Sequence, residues 1–290
     1  MASESLPETR PTEMSQLISA SLKGLELPGG FPFSVPVIRS MEVLDLDARV
    51  SLFVGENGSG KSTLLEALAL AADLPAVGSG SLARDPTLKD QRRLADALRL
   101  VWRGRTHRGF FLRAEDFFGF QKAVMARRVE HEVELRRLDG ELEGASPLAR
   151  KLAMGVHRGS IQELTDRYGE DPDARSHGEA FLDLLGTRVV PEGLYLLDEP
   201  EAALSPQSQL AFLAMVRDAV LQGGQFIIAT HSPILMAIPG ARIFLFDGGR
   251  IRTARFEELD SVILVRDFLQ APERFLRHLW PPGGPEGGEP

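Results

Sequence analysis

Short apolar runs alternate with longer helical ones over most of the chain. Residues 50–54 (VSLFV) read as a buried strand that stops at Gly55, and residues 61–72 (KSTLLEALALAA) are almost all helix formers. Residues 193–197 (GLYLL), 225–229 (QFIIA) and 241–246 (ARIFLF) predict further short strands, with a helix over 202–221 between the first two. Strands alternating with helices imply an α/β fold: a mostly parallel sheet flanked by helices on both faces. The middle of the chain is different in character. Helix formers fill 88–103, 117–140 and 161–168, which predicts a helical subdomain inserted at about 75–188 within a single domain over 17–280. The charged stretch 129–143 is too short to predict a coiled-coil arm. Residues 1–16 and 281–290, rich in Ser, Pro, Glu and Gly, read as disordered tails.

Composition narrows the chemistry. With no cysteine among 290 residues, disulfides, thiol nucleophiles and thiolate metal sites are excluded. No stretch is apolar for long enough to span a bilayer, and the first ten residues, with two Glu and no apolar core, do not read as a signal peptide. A cytoplasmic protein with no direct membrane insertion is expected. The six histidines lack metal-ligand spacing.

Two motifs carry chemistry. Gly55, Glu56, Asn57, Gly58, Ser59, Gly60, Lys61 and Ser62 fit the phosphate-loop pattern G-x-x-x-x-G-K-[ST], and they lie between a predicted strand and a predicted helix. The glycines let successive N–H groups face one anion, and the helix N-terminus adds partial positive charge. In this pattern Lys61 reaches the β- and γ-phosphates and Ser62 holds Mg²⁺. The second motif is an apolar strand running into Asp198 and Glu199. Asp198 suits a metal ligand, and Glu199 a general base for the attacking water. His231 follows a third strand, at the end where parallel sheets place ligand-contacting residues.

In order and type these elements resemble an ABC-type ATPase, a P-loop NTPase. The resemblance rests on the phosphate loop from Gly55 to Thr63, a signature-like Ser176, His177, Gly178 and Glu179, residues 194–205 (LYLLDEPEAALS) and His231. It is strongest toward stand-alone bacterial AAA-family or "predicted ATPase" proteins, relatives of SMC and repair heads. The resemblance implies ATP and Mg²⁺ as ligands and ATP hydrolysis to ADP and phosphate. It also implies a homodimer that sandwiches ATP, with the signature of one copy acting in trans on the other copy's γ-phosphate. Alternatives are a DNA-associated, ATP-gated clamp and the ATP-binding subunit of a transporter. Ser176 and Glu179 fit an ordinary helix capping box equally well. His177 and Glu179 depart from the transporter signature L-S-G-G-Q, and Ser205 stands where the D-loop usually carries Asp. Glu115 and Gln121 both remain candidates for the residue that senses metal and water. Phe31 and Phe33 are candidates for stacking on adenine, although an aromatic in an apolar run is more often core.

The net charge of -8 argues against a globally nucleic-acid-binding surface, yet it hides a local excess. Arg99, Arg103, Arg105, Arg108 and Arg113 fall within one stretch that has no acid. They read either as a solvated face paired with acidic neighbours or as a contact for nucleic-acid phosphates, and Arg113 alternatively as a phosphate ligand of the nucleotide site.

Overall fold

The strands expected from apolar runs form, and most of them meet in one sheet. In the computed structural model, which describes residues 16–24, 27–77, 86–168 and 177–279, the strands are β1 (Leu17–Leu22), β2 (Leu44–Asp45), β3 (Val50–Gly55), β4 (Leu98–Trp102), β5 (Gly109–Arg113), β6 (Leu194–Asp198), β7 (Gln225–Ala229), β8 (Arg242–Asp247) and β9 (Arg250–Ala254). The helices are α1 (Pro36–Arg39), α2 (Lys61–Ala71), α3 (Lys89–Ala97), α4 (Ala114–Glu141), α5 (Pro147–Tyr168), α6 (His177–Arg188), α7 (Pro206–Leu221), α8 (Pro233–Met236), α9 (Asp260–Gln270) and α10 (Pro272–Leu279).

The main sheet has the order β5-β6-β7-β3-β8-β9. Its first five strands are parallel, and β9 turns back antiparallel on β8. Every residue of β6 and β7 is buried, as expected of strands covered on both faces. On one face α2 packs among the strands and the small antiparallel sheet β2-β1-β4. On the other face α6 and α7 cover Leu52, Tyr195, Leu197 and Ile228. The α/β architecture with a mostly parallel sheet flanked by helices is therefore present.

One amide joins the two sheets. Gln225 is fully buried at the start of β7, and its Oε1 accepts hydrogen bonds from the backbone N–H groups of Gln16 and Leu17 at 3.0 and 2.8 Å. Its Nε2 donates to the carbonyls of Leu17 and Leu46, each at 2.9 Å. Gln16, assigned to the leading tail by composition, is thus tied into the core. The remainder of both expected tails lies outside the described residues.

Three helical expectations change. The helix expected over 88–103 ends at Ala97, because from Leu98 onward inward Leu98, Leu100 and Trp102 alternate with outward Arg99 and Val101, a period of two that pairs with β1. Strands β4 and β5 therefore lie inside the 75–188 segment expected to be helical. The helix expected over 202–221 begins only at Pro206, where the Ser205 hydroxyl caps it by accepting the Ser208 N–H; Pro200–Ala203 is a separate 3-10 turn. The third change is the largest, since a helical arm exists. Helices α4 and α5, of 28 and 22 residues, pair as a hairpin about 42 Å long. They are joined by the Asp139–Arg150 ion pair and by contact between His131 and His157. The arm buries little and leaves Val129, Val133, Leu148, Leu152 and Val156 exposed, so its apolar period is too faint to read from sequence.

Truncating Gln225 strands several buried backbone groups at once. Gln225→Ala should lower unfolding stability by roughly 3 kcal/mol, from the cost of unsatisfied buried polar groups. Urea titration measures this, and a loss below about 1 kcal/mol would mean that the sheets are joined without it.

Candidate functional site

The loop between β3 and α2 is shaped by two glycines. A Cβ on Gly55 would lie 2.4 Å from the Phe246 carbonyl oxygen, and one on Gly60, where φ is +100°, would lie 2.7 Å from Val37 Cγ2. Any other residue would push the loop off β8 or α1. Helix α2 then begins without a side-chain cap, so its first N–H groups and its dipole end face the loop. Lys61 is only 4% exposed, and its Nζ donates to the carbonyls of Gly55 and Glu56, both at 2.8 Å. Burial pulls its pKa down, while Glu199, Asp198 and Glu201 oppose that shift.

The second half of the site comes from strand ends brought into register. Arg113, Asp198 and Ala229 align across β5, β6 and β7. Ser62 Oγ donates to Asp198 Oδ1 at 3.1 Å. Asp198 is 8% exposed, and burial, reinforced by Glu66 and Glu199, pushes its pKa up to about 7, although the Ser62 hydrogen bond and Arg113 act the other way. One hydroxyl and one carboxylate, all oxygen and electrostatically costly as they stand, fit a hard divalent cation such as Mg²⁺.

Beyond Asp198 the chain turns sharply. Glu199 adopts a left-handed conformation (φ 49°, ψ 49°), and its N–H donates to the Ala229 carbonyl at 2.9 Å. For a non-glycine residue this conformation costs about 1–2 kcal/mol, and it swings the carboxylate to within 3.5 Å of His231 Nε2. The two atoms are close but not aligned as a hydrogen bond. The backbone N–H of His231 donates to Glu201 Oε1 at 2.6 Å.

The fold thus brings Gly55 to Thr63, Asp198, Glu199 and His231 together at the C-terminal ends of β3, β6 and β7. The signature-like segment is elsewhere. Ser176 lies outside the described residues; His177, Gly178 and Glu179 open α6, which packs on α7 and the Pro200–Ala203 turn. Gly178 is buried there, and a Cβ on it would meet Ser208 Oγ at 2.9 Å, which gives this glycine a packing role of its own. Glu115 is exposed in the first turn of α4, and the Gln121 side chain lies outside the described residues. Phe33 is core, 3% exposed with the Arg93 guanidinium over its ring, whereas Phe31 stays exposed.

The arginine stretch does not form one surface. Arg113 is buried and pairs with Glu66 at 2.6 Å, so it is withdrawn from any nucleic-acid contact. Arg103 pairs with Asp47, Arg108 lies near Glu192, and Arg99 is exposed on β4. Sequence reasoning missed Glu66, Glu201 and Gln209. Glu66 sits one turn beyond Ser62 and is the one polar residue between Leu64 and Ala72. Gln209 accepts from Ser232 Oγ at 2.5 Å and donates to the Leu204 carbonyl at 3.3 Å, tying the turn after β6 to the turn after β7. No short motif signals either residue.

Comparison with known proteins agrees with this geometry. A family described as "AAA domain" matches residues 35–104, and one described as "AAA domain, putative AbiEii toxin, Type IV TA system" matches 180–237. The chain is 25% identical over 248 residues to the glutamine transport ATP-binding protein GlnQ of Escherichia coli, covering 84% of this chain and 93% of that one. It is 29% identical over 217 residues to the hemin import ATP-binding protein HmuV of Streptomyces coelicolor, covering 74% and 71%. Among solved structures, the Smc head domain of Pyrococcus furiosus aligns with a TM-score of 0.42 and 12% identity, over 88% of this chain and 99% of that one. The loop and the acid beside it define a P-loop protein. With the family matches, the chain is similar to ATP-binding P-loop proteins of the ABC/AAA type. Among the described residues no helix is long and apolar enough to cross a membrane.

Arg113→Leu should destabilise the protein by about 3–5 kcal/mol, because it leaves Glu66 buried without its cation. Adding Glu66→Gln should recover much of the loss; strictly additive effects in denaturant titrations would show that the two residues are not coupled. Asp198 has a raised folded pKa, so in the absence of divalent cation it costs stability above about pH 7, and the cost fades as pH falls toward its ordinary value. Asp198→Asn should therefore melt higher than wild type at pH 8, by up to about 4 kcal/mol in stability, with the gap narrowing toward pH 5. A gap that is flat or widens toward acid would contradict the assignment.

Proposed function

We propose that the protein hydrolyses ATP to ADP and phosphate, and that two copies close on two ATP molecules to do so. The observation that carries this reading is the grouping of Ser62 and Asp198 beside the Lys61 loop, with Glu199 held 3.5 Å from His231. Loop N–H groups from Gly58 to Thr63 bind the β- and γ-phosphates. Lys61 exchanges its two carbonyl partners for phosphate oxygens, which explains why a buried ammonium is kept there. Ser62 and Asp198 would hold Mg²⁺, which neutralises charge on the phosphates. Glu199, on its left-handed turn, takes the proton of the water that attacks the γ-phosphorus while the bond to the β-phosphate oxygen breaks. His231, fixed through its backbone by Glu201, places its imidazole against Glu199 and the departing phosphate.

In the closed dimer Ser176, His177, Gly178 and Glu179 of one copy face the γ-phosphate of the other. The start of α6 supports this role, because first-turn N–H groups and a dipole end suit an anion. The work done by the cycle is the closing and opening of the pair, in the cytoplasm. A second reading, the ATP-binding partner of a membrane protein, is favoured by the names of the transport relatives, which match most of the chain. Stimulation of hydrolysis by a co-purified membrane protein would select it.

Glu199→Gln should lower turnover at least a hundredfold, within the usual contribution of a general base, and leave a dimer that forms only with ATP on size exclusion. Lys61→Ala should lose nucleotide binding. Ser176→Arg should bind ATP yet fail to dimerise or turn over. A monomeric Glu199→Gln with normal turnover would defeat the mechanism, and a fully active Ser176→Arg would defeat the sandwich.

A further inference from the structure

The helical arm brings together two imidazoles that are 26 residues apart in sequence. His131 of α4 and His157 of α5 meet Nδ1 to Nδ1 at 3.0 Å, with ring centroids 5.3 Å apart and ring planes inclined by 57°. Met154, one turn before His157, is buried, whereas Leu148, Leu152 and Val156 are exposed, so His157 lies on the inner side of α5. Both imidazoles are half-buried and within reach of solutes. The pair is about 26 Å along α4 from the strand end that carries Arg113, well away from the nucleotide loop.

The contact has two chemical uses. Neutral imidazoles of opposite tautomer make one hydrogen bond; with both protons on Nε2, two Nδ1 lone pairs are instead free to bind one cation. Metal–imidazole bonds are about 2.0–2.1 Å long, so two of them spanning 3.0 Å subtend about 91–97° at the metal. A tetrahedral edge with the same bonds would need about 3.3–3.4 Å. A near-right angle is the edge of a square-planar or tetragonal sphere, the preference of Cu²⁺ and Ni²⁺ with nitrogen ligands. Among the described residues no group of three or more His, Cys, Asp or Glu could hold a metal, so water completes the sphere.

We propose that His131 and His157 form a two-imidazole site for a tetragonal divalent transition-metal ion, Cu²⁺ or Ni²⁺, that staples α4 to α5. Its nitrogen donors set it apart from Ser62 and Asp198, whose oxygens suit Mg²⁺. The arm buries little, so a metal crosslink adds to the few contacts that hold its helices together. The proposal stands whether or not the chain hydrolyses ATP.

Cu²⁺ titrated into the full chain without nucleotide is the probe, with affinity read by calorimetry and ligand type by electron paramagnetic resonance. The wild type should show two equatorial nitrogens on the tightest-bound ion. His131→Gln and His157→Gln place good helix formers on the arm. Each should weaken that binding by at least the tenfold that loss of even an outer-shell partner costs, with the metal-free melting temperature unchanged. The double variant should fall little further, because either loss already breaks the chelate. Copper bound at other histidines is common to all the variants and cancels. Should Gln disturb the arm, His131→Ala and His157→Ala serve the same comparison. Saturating Cu²⁺ should also slow amide exchange through α4 and α5 in the wild type alone. Single variants that bind like wild type, or losses that simply add, overturn the shared site; amide exchange unchanged by Cu²⁺ in the wild type overturns the staple.

Discussion

The ion pair between Arg113 and Glu66, 2.6 Å long and buried, is the interaction on which the site's electrostatics depend. Lys61, Glu66, Arg113 and Asp198 are all buried, each less than a tenth exposed or at that limit. Burial alone moves each of Lys61, Glu66 and Asp198 toward its neutral form. Pairing Glu66 with Arg113 removes one uncompensated acid from beside Asp198 and adds a positive charge that opposes the rise in its pKa. What remains is one carboxylate, a hydroxyl and an ammonium, poised for a ligand that brings a cation and phosphates together. A buried pair of this kind is weak evidence for stability; its value here is that it fixes where the remaining charge sits.

The sheet makes that placement possible. Because β3 lies between β7 and β8, the phosphate loop leaves the middle of the sheet, and the ends of β6 and β7 arrive beside it from one side. Gln225 anchors the opposite end of β7 to β1 and to the segment before β3, so the register that sets Asp198 level with Ala229 is held at both ends. The same layout creates two polar ends. At one, strand termini and α2 present N–H groups and acids; at the other, arginines preceding β3 and β5 gather around the turn before β6.

What could be read from sequence follows the physics of each element. The loop and its flanking strand and helix were legible because glycine spacing, a run of buried residues and a change of period occur within 23 positions, from Val50 to Ala72. Asp198, Glu199 and His231 were legible because each follows a short apolar strand. Residues 98–102 were misread as helix, since five residues of period two after a good helix former carry little signal without their partner β1. The α4–α5 arm was missed for the opposite reason: it buries so little that charge hides its period. Glu66, Glu201 and Gln209 act only through contacts made by chain reversal, and no local pattern reports such contacts. The arginine cluster misled because adjacency in sequence placed Arg113 in the interior and Arg105 at the surface.

The turn after β6 joins these levels. Glu199 holds a left-handed conformation at a cost of about 1–2 kcal/mol, and it stays there because its N–H is bound by Ala229 and the 3-10 turn Pro200–Ala203 follows at once. Glu201 from that turn grips the backbone of His231, while Gln209 links Leu204 to Ser232. The loops after β6 and β7 are therefore bonded to each other at two points and cannot shift independently. Gly178 of α6 packs against Ser208 and Ala203 of the same assembly. Helix α6 is thus in packed contact with the turn that carries Glu199 and, through Gln209 and Ser232, with the loop that carries His231. The strain at Glu199 then has a physical use: a residue held off its preferred conformation by a few bonds is the one most readily repositioned when those bonds move.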